Sequence, residues 1–149
     1  MNKVLAQNKK AFALHEILEK FEAGIVLSGA EVKALRASHA NLKGAFVEIS
    51  EKNEAFARNI HISPYKHAPQ KDYNPTRKRK LLLHAHEIGK LRAKLETKGL
   101  SLIPLDFHLS HNRIKLQIGV CRAKKKYDRR QELKKKAQNL EIRRALRKR

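Results

Sequence analysis

Side-chain chemistry needs a titratable or nucleophilic group held beside a partner, and this sequence offers few such pairs. Glu31 has the residue type of a general base. It follows Ser28 by three positions, however, which is the spacing of a capping box and accounts for it as a helix N-terminal residue. Cys121 is the sole cysteine. Cations beside it could lower its thiol pKa, yet it closes an alternating apolar run and reads as a small buried hydrophobe. His84 and His86 stand two apart among eight histidines, with no cysteine or carboxylate set at zinc-ligand spacing. No phosphate-cradling glycine loop and no paired-carboxylate site are present. These residues therefore predict a binding protein without catalytic residues, resident metal or cofactor.

What the sequence does carry is positive charge. Thirty-five Lys and Arg face 14 Asp and Glu in 149 residues, a formal charge of +21. Charge this lopsided opposes compaction and attracts polyanions. It gathers at Lys33 and Arg36, in the block Arg77-Lys78-Arg79-Lys80, at Lys124-Lys125-Lys126, and throughout the segment that follows. Asn8-Lys9-Lys10 adds a basic step near the start, readable as a solvated terminus or as a phosphate contact. An anionic membrane is the weaker partner class: no apolar run approaches the roughly 20 residues that span a bilayer, and the basic tail lacks interfacial aromatic anchors. With aromatic residues at only 5%, recognition of a folded RNA by shape and phosphates fits better than base stacking on an aromatic platform.

The elements that must hold these cations follow from pattern. Residues 1–7 read as a flexible leader and 8–122 as one domain, with 123–149 as a basic tail. Residues 12–21 alternate as a strand, with a change of phase at Ile17-Leu18 that signals a bulge. Ile25-Val26-Leu27 forms an apolar β-branched run entering a helix capped at Ser28, with Val32 and Leu35 inward and Lys33 and Arg36 outward. Asn41-Leu42-Lys43-Gly44 is a turn; 45–50 and 54–62 form a hairpin, and 67–76, with two prolines, is a mobile surface loop. Ile88, Leu91 and Leu95 mark a helix over 84–98 that Gly99 ends. Residues 100–109 and 114–121 form a second hairpin around Ser110-His111-Asn112, with Pro104 at an edge or bulge. This succession predicts a mainly β fold with flanking helices, an oligonucleotide-binding (OB)-like closed β-barrel. The tail cannot bury enough surface to order itself alone, but its good helix formers, uninterrupted by Pro or Gly, would fold once phosphates relieve their repulsion.

The stretch Glu22-Ala23-Gly24-Ile25-Val26-Leu27-Ser28-Gly29-Ala30-Glu31-Val32-Lys33-Ala34-Leu35-Arg36 resembles the EAGIxLxGxEVKxLR signature of the SsrA-binding protein (SmpB) family. The likeness continues in order at Asn8 and Ala11, Asn41-Leu42, His61-Ile62-Ser63-Pro64-Tyr65, Pro75, Arg77, and Arg79-Lys80-Leu81-Leu82-Leu83. It resumes at Glu87-Ile88, Lys98-Gly99, Pro104-Leu105, Lys124-Lys125 and Tyr127-Asp128. The resemblance implies an OB-like barrel holding the tRNA-like domain of transfer-messenger RNA. It also implies a basic tail that folds in the empty mRNA channel of a stalled ribosome, near the small-subunit decoding region. The protein would act in the cytoplasm as a monomer, apart from any membrane, in trans-translation.

By the same resemblance Asn8, Lys10, Glu31, Lys33, Arg36, Lys124, Lys125 and Lys126 belong to the RNA-binding face, to which the charge pattern adds Arg77, Arg79 and Lys80. Asp128, Arg129 and Arg130 correspond to the family's Asp-Lys-Arg motif for ribosome engagement. Two positions depart from the family pattern: Ala123 stands where Gly is usual before the Lys pair, and Arg129 replaces Lys. The composition alone is equally compatible with a structural ribosomal protein whose tail lies permanently in ribosomal RNA.

Overall fold

A computed structural model describes residues 3–67, 71–124 and 126–147, with side chains for all of these except 126–129 and 145–147. The chain opens with strand β1 (Lys3–Gln7), which pairs antiparallel with β8 (Leu100–Ser110) from Lys3 opposite Leu109 to Gln7 opposite Asp106. Residues 3–7 are therefore not the leader expected from their composition. Leu5 is buried in the core, and the backbone of β1 satisfies the outer edge of β8.

Asn8 then caps helix α1 (Lys9–Leu14), its Oδ1 accepting from the Ala11 amide at 3.1 Å. This cap turns Phe12 to Leu14 into helix where alternation had suggested strand. Strand β2 (His15–Ile25) begins only at the next residue and carries the expected bulge. Its register against β9 (Arg113–Ala123) slips between Ile17, opposite Cys121, and Glu19, opposite Val120. The apolar run leaves the ladder after Ile25, although the Val26 amide still donates to the Lys80 carbonyl at 2.9 Å. Helix α2 (Gly29–Arg36) follows with the capping box complete: Ser28 Oγ accepts from the Glu31 amide, and Glu31 Oε1 accepts from the Ser28 amide at 2.9 Å.

Strands β4 (Phe46–Ile49) and β5 (Ala55–Arg58) form the first hairpin. The two-residue strands β3 (Ala40–Asn41) and β6 (His61–Ile62) pair beside it as a separate ladder. Strand β7 (Arg79–Leu82) joins β5 to β2. Helix α3 (Ala85–Glu96) buries Leu91, and Gly99, at φ +84°, supplies the left-handed residue that returns the chain to β8. The β8–β9 hairpin turns at His111 and Asn112, both at positive φ, as a two-residue turn between right-twisted strands requires. Pro104 lies at a register shift of β8, as its missing amide hydrogen demands.

The seven-stranded sheet runs β1-β8-β9-β2-β7-β5-β4. Among the described residues no ladder joins β1 to β4, so the sheet is open and the expected closed barrel is not formed. The short β4 contributes only four residues, and the chain before it diverts into β3 and the Gly44 turn. Residues flanking the two edge strands are instead joined by one side chain: Asn8 Nδ2 donates to the Leu42 carbonyl at 3.1 Å and the Pro104 carbonyl at 3.0 Å. The core inside the sheet contains Leu5, Phe21, Leu35, Val47, Leu81, Leu91, Phe107, Leu116 and Ile118. Helix α4 (Lys126–Arg147) continues from β9, and residues 130–144 are exposed, Leu133 and Ile142 among them. The tail thus gains the helix its residue types favour without the burial whose lack led to the expectation of disorder.

Candidate nucleic-acid interface

The central feature is an ion cluster around Glu31, which is only 1% exposed. Helix α2 places its carboxylate one turn inside the cap, and β7 brings two arginines to it. Arg79 Nε donates to Glu31 Oε2 at 2.7 Å, and Arg77 Nε donates to the same oxygen at 3.1 Å. The Arg77 Nη2 group also pairs with Glu31 Oε1. Tyr73 Oη lies 3.1 Å from Glu31 Oε2 and 2.9 Å from the Ile62 carbonyl, and it accepts from Arg79 Nη2 at 3.1 Å. Arg79 is fully buried, and its remaining hydrogens reach the carbonyls of Ile60, Pro75 and Arg77. All five donors of its guanidinium are thereby met, the condition for tolerating a charge in the interior.

Burial alone would push the Glu31 carboxyl upward. Hydrogen bonds from Arg77, the Ser28 amide and Arg79 outweigh it and hold the pKa down at about 2, against an ordinary 4.5. Tyr73 moves up, through burial and then through the Glu31 charge beside it.

This cluster changes the reading of the cation block. Strand alternation along β7 turns Arg79 inward and Lys80 outward. Arg77 is committed to Glu31, and Lys78 lies 3.5 Å from Glu48 Oε1 and 4.0 Å from the Phe56 ring centroid. Of the four, only Lys80 is exposed without an ion-pair partner among the described residues. Arg79 and Glu31 are internal groups that fix α2 against β7, so neither reaches a ligand at the surface. Tyr73 and Pro75 belong to the segment expected as a mobile loop, yet both are tied into the cluster.

Asn8 is likewise internal, with its amide hydrogens and carbonyl oxygen spent on Leu42, Pro104 and Ala11. The surface cations lie around these anchors. Lys33 and Arg36 project from α2, Lys33 with its Nζ 5.5 Å from the Tyr65 ring centroid. Arg36 shares a shallow cleft with Arg113 and Lys115 from the tip of the β8–β9 hairpin. Lys10, on α1, shares another with Lys43 and His15. Sequence reasoning missed Lys43, Arg113, Lys115 and His15. Lys43 was legible only as part of a turn, and the other three only as positions in or beside a strand.

Lys124 is a junction residue. Its amide donates to the Leu14 carbonyl at 3.0 Å, and its Nζ lies 2.6 Å from Glu132 Oε2 and 3.4 Å from the Phe12 carbonyl oxygen. The Phe12 carbonyl of α1 and a carboxylate of α4 thus meet at its ammonium, while the Leu14 carbonyl takes its amide. Ala123 lies in β9 opposite His15 and is absent from the positive-φ positions, so alanine in place of glycine costs nothing here. Lys125 and the side chains of Lys126, Asp128 and Arg129 lie outside the described residues; Arg130 is exposed on α4. Cys121 is fully buried, and burial pushes its thiol up to about 11. Among the described residues no three of His, Cys, Asp and Glu converge on a metal position, and no helix is long and apolar enough to cross a membrane.

Comparison with known proteins matches residues 5–148 to the family described as SmpB protein. The chain is 49% identical over 140 residues to the SsrA-binding protein of Syntrophobacter fumaroxidans, covering 94% of this chain and 86% of that one. It is 47% identical over 147 residues to that of Halothermothrix orenii, covering 99% and 94%. Among solved structures, one described as "tmRNA-SmpB: a journey to the center of the bacterial ribosome" contains a similar chain. The TM-score is 0.69 at 42% identity, over 80% of this chain and 84% of that chain.

Proposed function

The chain belongs to the SmpB protein family, and from that premise we propose that it binds the tRNA-like domain of transfer-messenger RNA and delivers it to stalled ribosomes for trans-translation. The observation that carries this reading is the likeness, along nearly the whole of both chains, to proteins named for binding SsrA, which is transfer-messenger RNA. The geometry supports it. Lys10, Lys33, Arg36, Lys43 and Lys80 stand exposed at positions held by helices, turns and strand, with buried Glu31, Arg79 and Asn8 as the framework beneath them. Such an array suits phosphates spaced along a folded RNA.

In this reading the protein is a cytoplasmic, non-enzymatic monomer. The sheet is OB-like in its curvature, with bulged β2 pairing with β9 for most of its length and then with β7. The tail helix α4, which buries nothing along residues 130–144, is marginal in the free protein and settles in the mRNA channel, where 22 residues extend about 33 Å. Lys124, Lys125 and Lys126 contribute to the junction with RNA, and Asp128, Arg129 and Arg130 engage the ribosome.

The test is binding to a transcript of the tRNA-like domain against an unrelated tRNA over a salt series. Both affinities fall as salt rises, because phosphate contacts release counterions. A preference for the tRNA-like domain that persists at physiological salt is the expected result. Coincident curves would overturn the reading in favour of a general rRNA-binding protein. A chain ending at Arg130 should keep the RNA preference and lose peptide tagging on stalled ribosomes; retained tagging would refute the role given to the tail.

A further inference from the structure

Resting on the RNA-binding reading above, we propose that the Lys124 ammonium is a latch contested by the tail and the RNA. Glu132 holds α4 against α1 through this ammonium, and a phosphate of the bound RNA that takes the place of Glu132 releases the tail. The latch is built at the junction between β9 and α4. Lys124 is fixed through α1: its amide donates to the Leu14 carbonyl at 3.0 Å, and its Nζ donates to the Phe12 carbonyl at 3.4 Å. Asn8, the cap of α1, is tied in turn to Leu42 and Pro104, so the ammonium sits on a braced support. Glu132 Oε2 closes on the same Nζ at 2.6 Å, a charge-assisted contact. Among the described residues this is the one ion pair between α4 and the chain before it.

Little else holds the helix in that seat. Residues 130–144 are exposed, and where α4 runs beside α1 it brings Lys136 into a shallow cleft with Lys9, Phe12 and Ala13. Lys9 and Lys136 are both exposed cations on neighbouring helices, and their repulsion opposes the contact. Glu132 supplies the countercharge in a segment that has few: in residues 130–149 only Glu132 and Glu141 are acidic. With Glu132 in place the Lys124 side chain is 15% exposed, so a phosphate oxygen reaches Nζ by displacing the carboxylate. The two anions would otherwise repel each other across one ammonium. Such competition is reciprocal. RNA at Lys124 frees α4, and α4 drawn away from α1 hands Lys124 to the RNA. Capture of the RNA and release of the tail thereby favour each other through a single side chain.

The test is the affinity of the full chain for the tRNA-like transcript at physiological salt. Glu132→Gln and Glu141→Gln each remove one negative charge from α4, but only the first removes the contact. Glu132 is 53% exposed, so water screens the pair. Glu132→Gln should bind about two- to fivefold tighter than Glu141→Gln, the range set by ion pairs at a surface. In a Lys124→Gln background the two should bind alike. A second readout follows the tail itself. Spin labels on Ala13→Cys and Gln138→Cys, with buried Cys121 left unlabelled, should report a short distance in the free protein. That distance should lengthen when the transcript is added, and should already be long in Glu132→Gln. The latch is refuted if Glu132→Gln and Glu141→Gln bind alike, if their difference survives in Lys124→Gln, or if the label distance is indifferent to Glu132; the RNA-binding reading then stands. If the wild-type protein shows no preference for the tRNA-like transcript over an unrelated tRNA, the RNA-binding reading itself fails.

Discussion

Replacing Glu31 with glutamine isolates the charge at the centre of the ion cluster while keeping the shape of the side chain and its capacity to accept from the Ser28 amide. The folded-state pKa of about 2 lies well below the ordinary 4.5. At about 1.4 kcal/mol per pH unit, that difference corresponds to about 3 kcal/mol of stability. An independent route gives the same size: removing one partner of a buried ion pair costs about 3–5 kcal/mol, because the other charge is left without compensation. Here the stranded group is Arg79, at 0% exposure.

The sign of the pH dependence follows from the direction of the shift. A depressed carboxyl stabilises the fold above its unfolded value and loses that contribution as the pH falls through its folded value. The wild-type advantage over Glu31→Gln should therefore be complete above pH 4.5 and vanish below about 2, with about half remaining near pH 3. Urea denaturation of both proteins at about pH 7, 5 and 3 measures it, and thermal melts near pH 7 should differ by about 6–12 °C. A difference under about 0.5 kcal/mol at pH 7, or one that stays constant down to pH 3, would refute the assignment of Glu31 as the buried counter-ion of Arg79.

Two further outcomes test the packing beneath the interface. Gly119→Ala would place a Cβ 2.8 Å from Leu105 Cδ1 and 3.1 Å from Cys121 Sγ, both on fully buried side chains. It should destabilise the protein by about 1–3 kcal/mol, and a urea midpoint equal to wild type would contradict that close approach. Cys121, fully buried with its thiol raised to about 11, should resist a thiol reagent near pH 8 in the native state and react once urea unfolds the chain. Rapid labelling without denaturant would show that the strand end is open.

The likeness between this protein and its relatives was carried by residues such as Glu31, Asn8 and Arg79, whose side chains face inward. In this protein they form the frame on which exposed cations are set. Lys33 and Arg36 are positioned because Glu31 anchors the first turn of their helix to β7. Lys10 and Lys43 are brought to one cleft because Asn8 ties α1 to Leu42 and Pro104. Substitution at the buried set would be felt at the surface although its members are themselves buried.

Local features were legible in the sequence because their causes are local. The Ser28–Glu31 capping box, the bulge near Ile17, the irregularity at Pro104, the His111–Asn112 turn and the left-handed turn at Gly99, two residues past the Thr97 cap of α3, each depend on a few consecutive residues. Excess positive charge, a property of composition, pointed to a polyanionic ligand. The first strand and first helix were misread where the determinant was remote. Residues 3–7 become strand because the edge of β8, about 100 residues on, needs partners, and alternation over 12–14 yields to the Asn8 cap. Whether the sheet closes depends on where its two ends fall after seven strands of accumulated twist, which no window of sequence contains. Four adjacent cations looked equivalent in the chain. Which of them stays exposed was decided by the register of β7 and by a carboxylate 48 residues away, because a buried Arg79 is tolerable only where Glu31 meets it.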